Sequence, residues 1–258
     1  MKYPAACLFY TVFVVFLFDF TAIEYLKAEE KTITLATEEW KDATNKDGTG
    51  LYWDILRAVY EPEGYKIKPI IRSYQGAVAL VENESVDGMI GAYKDEIQLG
   101  LYPEKYFAVD IVQALYMKNS GIDWRGINTI KGKRIGWVEG YAFNKYLPDS
   151  VMYSTTIRRV DTRKVAINLI KLSKIDFFLD AEGDLKDFFI DNEDYRIEAF
   201  VMKTLIELKL YICFANNENG KLLVQLFDQN FSGLLKAGGI RKLYEDYSDS
   251  NFTIPSSF

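Results

Sequence analysis

The chain has 258 residues, 49% of them hydrophobic, which is enough for one large or two modest domains with a proper core. Its formal net charge of −6 at pH 7 argues against a nucleic-acid partner, because phosphate binding requires clustered lysine and arginine. The chain contains no histidine, which excludes Ser-His-Asp triads and ordinary zinc sites. An enzyme would have to work with carboxylates, lysine or tyrosine, and we expect neither a metal nor another cofactor.

Residues 1–28 differ from the rest of the chain. Lys2 is followed by an uncharged apolar run at residues 5–18, which ends at Asp19. A membrane-spanning helix needs roughly 20 apolar residues, so this run is too short to span a bilayer and is typical of a secretory signal peptide. Ala28 fits the last position before cleavage, and an uncleaved membrane anchor is the alternative. We therefore predict a cleaved signal peptide over residues 1–28 and a periplasmic mature protein.

Strand and helix patterns alternate in the first part of the mature chain. Residues 32–36 are predicted to form a buried strand, and the apolar spacing in Leu51–Tyr60 predicts a helix. Tyr65–Ile71 alternates like a strand, residues 76–81 form a short apolar helix pattern, and residues 86–92 form another strand pattern. This β-α-β-α-β order is typical of a parallel sheet covered by helices.

The second part repeats the pattern and ends in helices. Gly140 and Tyr141 are predicted to open a helix towards Tyr146, and Asp161 to cap a helix that runs to Lys171. Cys213 is predicted to be a buried strand residue. The tail after residue 248 is predicted to be loose. The remaining predicted strands are residues 133–138, 175–179 and 207–214, followed by helical stripes at 222–235 and 240–247.

A segment of the first part recurs without a gap in the second. AVALV at residues 77–81 and VDGMI at 86–90 match AINLI at 166–170 and IDFFL at 175–179. Each copy reads as an apolar helix face, a polar turn, and an apolar strand that opens with a hydrophobic residue and aspartate. Two similar α/β halves are typical of proteins with a cleft between the halves that binds small molecules. Coincidence is the alternative, because helix-turn-strand units recur in any α/β protein.

Four stretches occur in a distinctive order behind the signal-like segment. They are DGTGLYWD at residues 47–54, SVDGMI at 85–90, IKGKRIGWVEGY at 130–141, and a tail from NGKL at 219–222 to AGGI at 237–240. Each stretch is a weak motif alone, but in this order they are fairly specific. The chain resembles the family-3, polar amino-acid type, extracellular solute-binding proteins of bacterial ABC transporters over about residues 31–247.

The resemblance implies an α/β fold of the two-lobed, type II periplasmic-binding-protein class, in which each lobe is a mainly parallel sheet flanked by helices. Lobe 1 would comprise residues 29–115 and, after the return hinge, 209–258, and lobe 2 would comprise residues 116–208. The implied function is capture of a small polar solute, an amino acid or a related compound, in the inter-lobe cleft. The implied partner is an ABC permease in the membrane, and we expect a monomer that binds no nucleic acid.

The candidate ligand-binding residues follow the predicted strands, because ligands of open parallel sheets bind at the carboxyl ends of the strands. Trp40, Tyr74 and Tyr141 could stack on a flat or cationic ligand. The N–H groups after Gly140 could hold an anion. For each charged candidate a solvated loop side chain is the alternative. The predicted set is Glu39, Trp40, Arg72, Tyr74, Tyr93, Lys94, Glu139, Gly140, Tyr141, Asp180 and Glu182.

The chain departs from the family pattern at the residues that recognise amino acids. Family members usually carry an arginine after the third strand that clamps the α-carboxylate, whereas residues 91–96 read GAYKDE. Lys94 could replace the charge but not the bidentate fork. Tyr141 stands in place of a small hydroxyl residue, and the usual ammonium-binding aspartate falls closest to Asp180 or Glu182. The ligand therefore need not be a standard α-amino acid.

Two other functions remain open at this point. The family resembles some periplasmic dehydratases of cyclic acids, and Glu38 or Glu39 with Asp180 or Glu182 could perform acid-base chemistry. No catalytic signature is recognisable, so we predict a protein that is not an enzyme. A stand-alone ligand-sensing subunit is the other alternative.

Overall fold

Eight strands and seven α-helices make up the part of the protein that the computed structural model describes, residues 31–258. The predicted signal peptide lies outside the described residues. The strands are β1 Lys31–Thr37, β2 Tyr65–Ile71, β3 Gly88–Tyr93, β4 Ala108–Met117, β5 Arg134–Val138, β6 Thr156–Val160, β7 Phe177–Ala181 and β8 Phe200–Phe214. The helices are α1 Leu51–Tyr60, α2 Tyr74–Glu82, α3 Asp149–Met152, α4 Arg163–Lys171, α5 Glu182–Asp191, α6 Glu218–Lys236 and α7 Gly239–Asp246.

All eight strands form one sheet in the order β2-β1-β3-β8-β4-β7-β5-β6. β1 runs parallel to β2 and β3, and β5 runs parallel to β6 and β7. We call these groups the first strand set (β1–β3) and the second strand set (β5–β7). Between them, β4 and β8 pair antiparallel from Ala108 opposite Leu210 to Met117 opposite Phe200. The α/β class is confirmed, and this long central pair joins the first strand set to the second.

The largest core cluster extends across both strand sets, and helices α1 and α6 contribute to it on the side of the first set. Helix α1 begins and ends as predicted, because its apolar face is buried and Pro62 follows it in a short 3₁₀ turn. Trp53 of α1 and the α6 residues Phe227 and Phe231 are fully buried. The Tyr60 hydroxyl donates to the Leu223 carbonyl of α6 at 2.8 Å, which ties the two helices together. Burial of each such large side chain stabilises the fold by about 1.5–3 kcal/mol.

The helix predicted to open at Gly140 does not form. Gly140 has a φ of 105°, and only a 3₁₀ turn at Phe143–Lys145 follows it. The Tyr141 N–H donates to the Val138 carbonyl at 3.3 Å instead of pointing into free space. The predicted anion site on a helix N-terminus was therefore wrong.

The sequence had suggested Asp161 as the cap of helix α4, but the helix is capped by Thr162. The Thr162 hydroxyl oxygen accepts a hydrogen bond from the Val165 N–H at 3.2 Å. The capping residue must directly precede the first helical residue so that its side chain reaches this N–H, and Thr162 is one position closer.

The tail is packed rather than loose. Phe252 contacts Tyr52 of α1, with ring centroids 5.8 Å apart, and Phe258 packs on Phe231 with centroids 5.7 Å apart. The Ser250 hydroxyl donates to Asp42 at 3.1 Å. The prediction failed because isolated aromatic residues carry no helix or strand periodicity.

Cys213 is fully buried in β8, as predicted, and burial raises the pKa of its thiol to about 12. Along residues 31–258, no helix combines the length and apolar composition that crossing a bilayer requires.

Candidate ligand-binding cleft

A cavity of about 100 Å³ lies between the first and second strand sets. Its walls include the segments that follow β1, β2 and β5, the end of β3, the first turn of α5 after β7, the start of β4, and the tail. The carboxyl ends of the parallel strands of both sets therefore converge on one site, as expected for ligand sites in open α/β sheets. The volume has room for several water molecules.

Aromatic rings form one side of this cavity. The rings of Trp40 and Tyr74 lie 6.4 Å apart, and Tyr74 stacks on Tyr141 of the other strand set at 5.6 Å. The Trp40 ring covers the backbone of Gly91, where a Cβ would lie 2.5 Å from a ring carbon. Glycine at this position is thus required for the ring to approach. The aromatic lining residues are Trp40, Tyr52, Tyr74, Tyr93, Tyr141 and Phe252.

The cavity also has an acidic lining. Among the described residues that line it, Lys41 is the one cation, and its side chain is exposed to solvent. The acidic lining residues are Asp42, Asp110, Glu182, Asp184 and Asp187. The electrostatic character of the site is therefore negative.

Asp110, near the start of β4, lines the cavity together with Val109 and Leu210. The Tyr93 hydroxyl donates to its carboxylate at 2.8 Å. Burial raises the pKa of Asp110 to about 7, against the lowering effect of the Tyr93 hydrogen bond, and the nearby Asp184 raises it further. Near neutral pH this carboxyl group is close to the midpoint of its titration.

Arg163, the first residue of α4, holds two carboxylates. Its Nε donates to Asp180 at 2.6 Å, and its guanidinium also pairs with Asp184. Burial raises the pKa of both aspartates more than the arginine lowers it, and that of Asp184 reaches about 6. Burial alone would lower the pKa of Arg163, but the two aspartates raise it above its ordinary value. Arg163 thus stays charged and occupied.

The two strand sets touch around the rim of the cavity. The Gln75 side-chain amide donates to the Gly140 carbonyl at 2.8 Å. Tyr93 and Tyr146 pack edge to face, with ring centroids 5.2 Å apart. The Tyr74 hydroxyl bonds Glu96, whose pKa is raised by burial. The Gln75–Gly140 and Tyr93–Tyr146 contacts bring the two sides of the cleft together.

No protein-family model matches the chain, and no curated protein matches it either. Solved structures do match over most of its length. One of them, from Streptococcus mutans, concerns glutathione import via GshT and the cystine ABC importer TcyBC. It is 17% identical to this chain, with a TM-score of 0.67, and the match covers 89% of this chain and 99% of that one. A histidine kinase sensor domain with similarity to periplasmic binding proteins is 12% identical, with a TM-score of 0.68, over 86% and 98%.

A third similar structure is the ancestral amino acid-binding protein AncCDT-1, a precursor of cyclohexadienyl dehydratase. It is 14% identical, with a TM-score of 0.62, over 83% of this chain and 94% of that one. The chain has the type II periplasmic-binding-protein fold. This confirms the resemblance read from the sequence at the level of fold, and the cavity occupies the cleft of that fold.

Within this type II fold, some of the predicted ligand-binding residues meet at the cavity. Trp40, Tyr74 and Tyr93 line it from the first strand set, and Tyr141 and Glu182 line it from the second. Trp40 and Tyr141 lie in the turns after β1 and β5, and Tyr93 ends β3. Tyr74 and Glu182 begin the helices that follow β2 and β7. The sequence argument had selected these positions.

The other predicted residues lie elsewhere, and they are Glu39, Arg72, Lys94, Glu139, Gly140 and Asp180. Glu39 accepts a hydrogen bond from the Lys46 N–H at 3.3 Å, and Arg72 donates to the neighbouring Ile71 carbonyl. Lys94 lies over the rings of Tyr102 and Tyr211. Glu139 is exposed and 3.5 Å from Arg159. Gly140 contacts Gln75 at the rim, and Asp180 is buried against Arg163.

Sequence reasoning missed Asp110, Asp184, Arg163 and the tail. Asp110 lies inside β4, whereas the candidate ligand-binding residues were taken from the turns that follow strands. An aspartate flanked by Val109 and Ile111 in an apolar strand is the signal that could have found it, because a charge is costly there. Among residues 31–258, no group of three or more acidic or cysteine side chains is arranged to hold a metal ion.

Proposed function

We propose that the protein is an exported solute-binding protein that captures a small polar solute in this cleft and delivers it to an ABC importer. The observation that carries the proposal is the cavity lined from both strand sets at the carboxyl ends of their strands. The similar structures that concern an ABC importer and an ancestral amino acid-binding protein support it.

The lobe boundaries predicted from the sequence, 29–115, 116–208 and 209–258, belong to this proposal. Both hinges would lie in the β4–β8 pair, where the register shifts between Val112 and Gln113. Such an irregularity is a natural point for bending, because the ladder of hydrogen bonds is locally disrupted. Hinge closure around a ligand is the usual motion of periplasmic binding proteins.

The first experiment is a thermal-shift screen of the purified protein against amino acids, polyamines, small organic acids and short sugars. A ligand at a hundredfold excess over its dissociation constant adds about 2.7 kcal/mol to the free energy of unfolding, so its melting temperature should rise visibly. If no solute of the panel raises the melting temperature, the proposal loses its main support.

Tryptophan fluorescence then locates the binding event. Trp40 lines the cavity, whereas Trp124 stacks on Tyr116 away from it. We expect a ligand-induced emission change that is lost in Trp40→Phe and kept in the matched control Trp124→Phe. A change that survives in Trp40→Phe would place the ligand elsewhere.

An enzyme on the same fold is the second candidate, and one observation favours it. Asp110 and Asp184 share the cavity, with pKa values raised to about 7 and about 6, and perturbed carboxyl groups often mark catalytic sites. Incubation of each bound solute with the protein, followed by mass spectrometry, decides between the two. Recovery of the unchanged solute supports binding alone, and a product supports the enzyme.

A further inference from the structure

We propose that the cleft binds a small organic cation that lacks a free carboxylate. Its positive group would lie at Asp110 and its apolar part against the aromatic wall, which Trp40, Tyr74 and Tyr141 form. This inference rests on the proposed function, since it assumes that the cavity is the ligand site. It assigns the ligand a chemical class that excludes ordinary α-amino acids.

Among the described residues that line the cavity, the one cation is Lys41, whose side chain is exposed to solvent and acts on Asp187, so no buried cation there is left to receive a carboxylate from a ligand. Arg163 already pairs with two carboxylates, because its Nε and Nη2 donate to Asp180 and its Nη2 also donates to Asp184. Lys94, which the sequence had suggested as a substitute for the missing arginine, lies 5.3 and 5.2 Å above the rings of Tyr102 and Tyr211. Carboxylate recognition relies on charge-assisted donors, so an α-carboxylate in this acidic cavity would be repelled rather than bound.

Asp110 is suited to receive a positive group. Its described hydrogen bond comes from the Tyr93 hydroxyl, and the carboxylate borders the cavity. None of the titratable groups that act on it or are acted on by it is cationic. They are Tyr93 from β3, Tyr52 from α1, Tyr244 from α7, Asp180 from β7 and Asp184 from α5. A ligand cation would supply the missing countercharge.

The aromatic wall completes the recognition of a cation. The electron-rich faces of tryptophan and tyrosine attract organic cations, most strongly where water is excluded. Trp40 and Tyr74 are held close together, and Tyr141 stacks on Tyr74 from the other strand set. A ligand between these rings and Asp110 would contact both sides of the cleft, which couples binding to closure.

Binding of a cation should also release a proton. A positive charge beside Asp110 lowers the pKa of this carboxyl group, which lies near 7 without one, so the group ionises as the ligand binds. The linkage makes the affinity rise with pH through this range. An anionic or neutral ligand would produce no such release.

The test is isothermal titration calorimetry with matched probes that differ in the carboxylate. Agmatine is compared with arginine, and choline with glycine betaine, at pH 7 in buffers of different ionisation enthalpy. We expect the carboxylate-free member of at least one pair to bind more than about tenfold tighter. Its measured heat should depend on the buffer as expected for proton release.

Variants assign the effect to Asp110. In Asp110→Asn, affinity should fall about tenfold or more and the buffer dependence should vanish. Asp246→Asn, at the exposed end of α7, removes the same charge far from the cavity and should bind like the wild type. If Asp110→Asn fails to fold by circular dichroism, the pH dependence of the wild-type affinity replaces it, and a flat profile counts against the inference.

The outcomes separate the inference from the proposed function. Tighter binding of arginine or glycine betaine, or a response only to sugars or organic acids, overturns the cationic class and leaves a solute-binding protein. Cation binding without proton release, or unchanged in Asp110→Asn, overturns the assignment to Asp110. Silence of all four probes and of the whole screening panel counts against the proposed function itself.

Discussion

Residues 73–93 and 162–182 build the same helix-turn-strand unit on opposite sides of the cleft. The first unit is α2 with β3, and the second is α4 with β7. These are the two copies of the internal sequence match. Comparing them separates the residues that build the shared backbone from the residues that give each side of the cleft its chemistry.

The two units share their backbone devices. Ser73 and Thr162 cap their helices by accepting the N–H three residues on, each at 3.2 Å. After each helix one residue adopts a left-handed conformation, Glu84 with a φ of 57° and Ser173 with a φ of 51°. The turn that leads into the strand is therefore built alike in both copies.

An aspartate fastens each turn to the first strand of its own set. Asp87 accepts the Thr34 N–H of β1 at 2.7 Å, and Asp176 accepts the Arg134 N–H of β5 at 2.8 Å. These are the aspartates of the repeated hydrophobic-Asp pattern. In both copies the aspartate therefore accepts a hydrogen bond from a backbone N–H of the neighbouring strand, within β1 in one copy and at the start of β5 in the other.

The units differ at two matched positions, which line the cavity in the first unit, whereas in the second unit Arg163 pairs with the lining residue Asp184. The first helical residue is Tyr74 in one unit and Arg163 in the other, and the corresponding strand positions are Gly91 and Asp180. One side thus presents an aromatic surface over a bare backbone, and the other an ion cluster. The backbone devices are the same in both units, whereas these two matched positions carry different chemistry.

The largest effect is expected from Arg163→Ala, which breaks the ion cluster. Asp180 would lose its buried partner, and loss of one member of a buried ion pair costs about 3–5 kcal/mol. The equivalent change in the other unit, Tyr74→Phe, removes only the hydroxyl bond to Glu96 and should cost about 1 kcal/mol. Urea unfolding at pH 8 measures both.

The pH dependence sharpens this prediction. Without arginine, the folded-state pKa values of Asp180 and Asp184 rise further, so the folded variant binds protons more tightly than the unfolded chain. The loss in the free energy of unfolding that Arg163→Ala causes should therefore become smaller as the pH falls from 8 to 5. Equal losses in Arg163→Ala and Tyr74→Phe, or a deficit that grows in acid, would contradict the assigned difference between the units.

An intermediate effect is expected from Gly91→Ala. The new Cβ would meet the Trp40 ring at 2.5 Å, at a backbone position with a φ of 84°. Such overpacking and strain cost about 1–3 kcal/mol, and displacement of the ring should shift the emission of Trp40. The control is Gly183→Ala, where a Cβ meets nothing within 4 Å. A variant as stable as the wild type with unchanged emission would show that Trp40 does not need the bare backbone.

The smallest effects are expected at the shared caps. Ser73→Ala and Thr162→Ala should each lower the free energy of unfolding by about 1 kcal/mol, because each leaves a helix N–H without its acceptor. Asp161→Ala is the matched control and should change stability by less than about 0.5 kcal/mol. A large loss of unfolding free energy in Asp161→Ala, with none in Thr162→Ala, would show that Asp161 is the cap, as the sequence suggested.

The scaffold was more predictable from the sequence than the site. Helix α1 could be placed to the residue because Leu51, Ile55 and Val59 all face the core and a proline stops it. Strand β8 begins at Phe200, well before the predicted residue 207, because pairing with β4 extends it through exposed residues such as Lys203. Local pattern cannot report such tertiary pairing.

In the site, four of the six aromatic lining residues were predicted, whereas Glu182 was the one acidic lining residue that was predicted. Trp40, Tyr74 and Tyr141 follow strands directly, so topology alone brings them together. The partner of Asp180 is a residue at the start of a different element, and Asp110 lies within a strand. Which charges neutralise each other depends on side-chain directions that no spacing rule contains.

The buried thiol in β8 has a practical consequence. Only thiolates react readily with alkylating dyes, and a pKa of about 12 leaves almost none of Cys213 ionised near neutral pH. Among the described residues it is the one cysteine. In protein that begins at residue 29, and so lacks Cys7, a cysteine introduced at the rim of the cleft would therefore take up an environment-sensitive fluorophore selectively and make the protein an optical reporter of its own ligand.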